Sequence, residues 1–171
     1  MSKRMFSNPF WTPTAVADTA TMTANGACFI QGGSASQRVR IHRVHVGGLS
    51  ASTSAPMIFM LGRDSTVAAT SITLGTNGKD QAQPNAMAAL AAPTVVGFTA
   101  TTMPQRSATL GALLCFALNG YGGAYQWLTK DDELIDLVGN TASLGEVSLS
   151  VSSLNSPTPS AISSSIEYEA D

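Results

Sequence analysis

Short apolar runs separated by turn-forming residues set the pattern of this chain, and apolar positions recur with a period near two rather than 3.6. Residues 27–31 read as a first strand, opened by Asn25-Gly26. Residues 38–46 form the clearest one, rich in β-branched side chains. Within it Val39 and Ile41 share one parity, whereas Val44 and Val46 share the other. A period of two changes face only if a residue is inserted, so the flip near His42-Arg43 predicts a β-bulge or bend.

The pattern continues to the C-terminus. Residues 57–61 are a continuous apolar run, which predicts a strand buried on both faces, and residues 67–74 predict another. Asn77-Gly78 supplies a tight turn. Residues 79–92 lose the alternation, with a helical turn expected at 87–90, and residues 94–98 resume it. Residues 110–118 read as a core strand closed by Asn119-Gly120. Residues 125–128 and 134–138 read as a hairpin around the charged turn Lys130-Asp131-Asp132-Glu133. Val147, Leu149 and Val151 alternate with serines, and Ile166 and Tyr168 alternate with Glu167 and Glu169 in a closing strand over residues 162–170. The fold class expected is all-β: a single antiparallel, jelly-roll-like β-sandwich of about eight strands over residues 25–171. No helical period, internal repeat or coiled coil emerges.

Residues 1–24 differ. Phe6, Phe10 and Trp11 are large and apolar, but Pro9 and Pro13 prevent a helix around them, and an Ala/Thr-rich stretch follows. This predicts an extended N-terminal arm. Its aromatics either fold back onto the domain or anchor on a neighbouring subunit, because aromatics are the usual interface anchors.

Composition narrows the chemistry. Hydrophobic residues make up 44 % of the chain and charged residues 12 %, with two histidines and a net charge of -2. The overall acidity, without an interleaved aromatic platform, argues against direct nucleic-acid binding. No run reaches the roughly 20 apolar residues of a membrane helix. No signal-peptide core follows Lys3 and Arg4, so folding in a reducing cytosol is expected, with Cys28 and Cys115 as buried free thiols.

Candidate catalytic and metal residues are few. His42 and His45, three apart, would face opposite sides of a straight strand; a bulge could bring them together, but no third ligand stands nearby. Asp131, Asp132 and Glu133 lack the spacing and glycine of an EF-hand. No G-x-S-x-G, P-loop or dinucleotide fingerprint occurs. The expectation is therefore a non-enzyme with no catalytic, metal or cofactor site. Two binding features remain. Arg38, Arg40 and Arg43 suit contact with an acidic patch on a partner, such as a neighbour's acidic C-terminal strand. Tyr125 and Trp127 share a strand face that either stacks on a sugar ring or caps the core.

Four segments carry a family resemblance: Asn8-Pro9-Phe10-Trp11-Thr12-Pro13, the strand of residues 38–46, the stretch of residues 127–134, and Ser165-Ile166-Glu167-Tyr168-Glu169. In these, as style and strand order rather than strict motif, the chain resembles the small jelly-roll-like β-sandwich virion proteins of tailed bacteriophages, the capsid decoration or cement proteins and related minor structural proteins. The resemblance implies a protein made in the host bacterial cytoplasm and located on the capsid surface of the virion. It implies docking on the major capsid protein and symmetric self-association, a trimer first, without cofactor or membrane. Phe6, Phe10, Trp11, Arg38, Arg40 and Arg43 are the expected contact residues. A carbohydrate- or receptor-binding module of a tail or fibre, and a shell-forming jelly-roll capsid protein, are the alternatives.

Overall fold

The computed structural model describes residues 6–12, 28–32, 34–49, 56–66, 69–73, 79–80, 94–102, 105–107, 109, 112–130, 134–141, 145–153 and 162–170. The expected Asn77-Gly78 turn, the helical turn at 87–90, the arm beyond residue 12 and most of the charged turn fall outside them. Among the described residues there are thirteen strands and no helix: β1 (Phe6–Thr12), β2 (Cys28–Gly32), β3 (Arg38–Leu49), β4 (Pro56–Thr66), β5 (Ala69–Thr73), β6 (Lys79–Asp80), β7 (Thr94–Thr102), β8 (Gln105–Arg106), β9 (Ala112–Asn119), β10 (Tyr121–Leu128), β11 (Ile135–Val138), β12 (Glu146–Ser153) and β13 (Ile162–Ala170).

They form two antiparallel sheets. Sheet I runs β10-β3-β13-β1-β6, with β11 also on β3; sheet II runs β5-β7-β2-β12-β4-β8, with β9 also on β4. β3 lies beside β13 in sheet I, and β4 lies beside β12 in sheet II. The successive pairs β3–β4 and β12–β13 thus run side by side over both sheets, the winding of a jelly roll.

The core is one cluster fed by both sheets. Sheet I contributes Val39, Ile41, Val44 and Val46 of β3 and Ile162, Ile166 and Tyr168 of β13; sheet II contributes Ile30, Met57, Phe59, Leu61, Val147 and Leu149. Both apolar parities of β3 face inward because the ladder with β13 steps from Glu167↔Arg43 to Tyr168↔Ile41, leaving His42 as the extra residue. The bulge expected from the phase flip is therefore present, at His42. Ser164 is the polar interruption of the inner face, and its hydroxyl donates to the His45 carbonyl at 2.7 Å. At one end of the core Arg63 crosses from β4 to donate to the Asp136 carbonyl of β11 at 2.6 Å, tying the sheets together. Desolvation there lowers its pKa from the ordinary guanidinium value, and nearby Asp136 opposes that shift.

Several expectations are corrected. Residues 125–128 and 134–138 do not form a hairpin: β10 pairs with residues 43–49 of β3, and β11 pairs with residues 38–41, end to end along one strand. Ile58 and Met60 of β4 are half-buried, because only alternate residues of the apolar run face the opposing sheet. Of the two alternatives for the arm, its described part, residues 6–12, takes the fold-back one, as a strand hydrogen-bonded between β13 and β6. Among the described residues, 112–119 form an edge strand whose outer face is exposed, with Leu114, Phe116 and Leu118 only partly buried against the core, rather than a core strand. Cys115, expected to be buried, is consequently exposed as a free thiol.

Candidate functional site

The two sides of the sandwich differ in chemistry. On sheet I the inward turn of both apolar sets sends Arg38, Arg40, His42, Arg43 and His45 to the outer face. The antiparallel register places Glu169 opposite Arg40 and Glu167 opposite Arg43, while β11 brings Asp136. Arg40 Nη1 lies 2.6 Å from Glu169 Oε1, and Arg43 Nη1 lies 3.2 Å from Glu167 Oε2. Arg38 meets Asp136 through two contacts, at 3.1 and 2.9 Å. His42 Nε2 lies 3.4 Å from Glu169, and His45 Nε2 lies 3.8 Å from Glu167. The bulge thus puts both histidines on one face, each beside a different carboxylate.

These pairs are unequal. The Glu169 side chain is only 3 % exposed, so losing its cation would leave a desolvated charge. Arg38 and Asp136 are 50 % and 34 % exposed, where water screens the attraction. The acidic partners expected from a neighbour are thus met within the chain, by β13 for Arg40 and Arg43 and by Asp136 of β11 for Arg38, brought alongside by sheet register. Phe6, Phe10 and Trp11, the other expected contact residues, occupy register positions opposite Tyr168, Ser164 and Ser163.

The same face sets Ser165 opposite His45, with Glu167 beyond the imidazole. Serine, histidine and carboxylate are the residue types of a hydrolytic triad, but acyl transfer also needs donors aimed at an oxyanion. Ser165 and His45 sit within a regular ladder between inner strands, where neighbouring strands engage the backbone donors. Among the described residues no group of three or more His, Cys, Asp or Glu is placed to hold a metal.

The β9–β10 side has the opposite character. Residues 107–129 contain no Asp, Glu, Lys or Arg. The chain passes from sheet II to sheet I through the single residue Gly120, so β9 and β10 line one side of the sandwich. This corner requires close backbone approach: a Cβ on Gly48 would collide with the Gly120 backbone, and one on Gly123 with the Asn119 carbonyl. Leu113, Tyr121, Tyr125 and Leu128 are exposed here. Three rings stack here from core to surface. Phe59 lies 5.4 Å from Phe116, and Phe116 lies 3.9 Å from Tyr125. Trp127 is half-buried against the core cluster, as the core-capping alternative for the Tyr125–Trp127 face has it.

Sequence reading missed this surface because residues 113–118 are apolar at both parities, the signature of a strand buried on both faces. The available signal was the lack of charge through residue 129. No protein-family model matches the chain, and no curated protein matches it.

Proposed function

We propose that this chain is a structural virion protein of a tailed bacteriophage, decorating or cementing the capsid by binding the major capsid protein and its own neighbours. In this reading it is made in the host cytoplasm, sits on the capsid surface and performs no catalysis. The observation that carries the proposal is the division of the surface. The charges that β3, β11 and β13 carry on sheet I are paired within the chain, while the β9–β10 side is uncharged and presents apolar side chains. A cementing subunit needs such a side, because lateral contacts that are weak singly accumulate across a shell of many copies.

The test is addition of the purified chain to shells of major capsid protein that lack it, followed by co-sedimentation and heating. Saturable binding at a fixed ratio, with shells that resist heat better, is the expected result. Shells that sediment without the chain at saturating concentration would overturn the proposal. Tyr121 and Tyr125, both exposed on β10, support a second reading as a sugar-binding module. Glycan binding lost in Tyr125→Ala, without shell binding, would select it.

A further inference from the structure

We propose that the open edge of β9 pairs antiparallel with β9 of a second copy across a two-fold axis, making sheet II continuous through a dimer. This deepens the assembly reading above, and rests on it for its biological purpose, by naming the surface through which copies meet.

The argument begins with the edges. An unpaired strand edge recruits other strands, and proteins guard against this with short strands, charge, proline or bulges. The other described edges carry such guards. β6 is two residues long and both are charged; β8 is two residues long and includes Arg106. β5 has an irregular register with β7, and β10 has one with β3 between Tyr121 and Ala124. β11 is four residues long and carries Asp136. β9 keeps the longest regular run of these edges. Its ladder with β4 shifts once, between Leu61 and Gly62, but from Leu114 to Asn119 the pairing is regular, the strand holds no charge and no proline, and among the described residues no strand lies on its far side.

Its exposed positions favour the same occupant. Leu113, Cys115 and Ala117 are exposed, and Leu114, Phe116 and Leu118 on the inner face are only half-buried. A charged partner finds no counter-charge between residues 107 and 129. A second β9 brings the same uncharged strand, and an antiparallel pair of identical strands is self-complementary about a two-fold axis. Pairing would also bring more apolar surface against the Phe116–Tyr125 stack at the lip of the core. A two-fold contact replaces the trimer implied by the family resemblance as the first association step.

The experiment uses the full chain in sedimentation equilibrium over a concentration series, with Ala117→Lys as the perturbed edge and Gln126→Lys on the outer face of β10 as the control. The expected result is a dimer whose dissociation constant rises by at least about tenfold in Ala117→Lys, since like charges brought together across a strand pair repel, and is unchanged in Gln126→Lys. A parent chain that stays monomeric throughout, or a dimer insensitive to Ala117→Lys, overturns the proposal. Hydrogen exchange of the parent chain covers the case in which the lysine variant fails to fold. β9 amides whose protection rises with concentration support the pairing. Amides that stay open at every concentration, or are protected already in the monomer by another segment of this chain, overturn it. The result is independent of the capsid reading, because a β9 dimer can form in a chain that never binds shells, and a shell-binding chain can lack one.

Discussion

Deletion of His42 tests the link between sequence phase and core. His42 is the residue that lets Val39 and Ile41 on one side of it, and Val44 and Val46 on the other, face the same interior. Without it the strand has a single phase, so one of the two pairs must turn outward. Val39 and Ile41 are fully buried, and Val44 and Val46 are 1 % and 2 % exposed, so either choice removes two complete side chains from the core. At about 1.5–3 kcal/mol per side chain, the loss is about 3–6 kcal/mol. The same rotation breaks the Arg40–Glu169 pair if the N-terminal half turns, or the Arg43–Glu167 pair if the C-terminal half turns. Against a typical total stability of about 5–15 kcal/mol, such a chain is close to unfolding. His42→Ala is the control: it keeps the extra residue and the Thr129 N–H donation to the residue 42 carbonyl, and loses only the 3.4 Å contact to Glu169. Its cost is expected below about 1 kcal/mol. In urea, with a slope of about 2 kcal/mol per molar, the deletion lowers the midpoint by about 1.5–3 M and the alanine variant by less than about 0.5 M. A deletion that costs no more than the substitution would refute the reasoning.

Glu169→Gln leaves Arg40 beside a neutral amide and is expected to cost about 1–3 kcal/mol in urea unfolding, less than for a fully buried pair because Arg40 is 23 % exposed. Burial raises the pKa of the Tyr168 hydroxyl above its ordinary value of 10.0, so the folded state holds the proton more tightly than the unfolded one. Its contribution is complete below that value and is lost as pH rises from there toward the folded pKa; Tyr168→Phe should therefore flatten the fall of Tm above about pH 10. Gly48→Ala drives a methyl group into the Gly120 backbone at the sheet corner and should cost about 1–3 kcal/mol in urea unfolding, whereas an unchanged midpoint would mean that the corner relaxes freely. Removing residues 1–12 strips seven paired positions from β13 and should lower the unfolding midpoint; unchanged stability would return residues 6–12 to the role of a detachable arm.

How far the sequence could be read depended on which physical rule governed each segment. The bulge was legible because parity is a local property: four valine and isoleucine positions demanded one interior, and only an inserted residue satisfies them. The closing strand of residues 162–170 was legible for the same reason, with Ile166 and Tyr168 inward and Glu167 outward. What parity does not encode is which strand lies alongside. The segments now seen as β10 and β11 looked like a hairpin because they are close in sequence, yet each found its hydrogen bonds along β3. The arginines of β3 looked available to a neighbour because nothing local showed β13 and β11 lying beside them. β9 looked buried because residues 113–118 are apolar at both parities, and a sheet edge with an exposed apolar outer face has that same pattern. Cys115 followed β9 into the error.

The most direct test of the assembly role is the amount of this chain in purified particles. Particles banded on a density gradient would be analysed by quantitative mass spectrometry against the major capsid protein. The account predicts a fixed, high ratio of this chain to the capsid protein from one preparation to the next. Absence from the particles, or a trace ratio typical of a tail or fibre component, would contradict it.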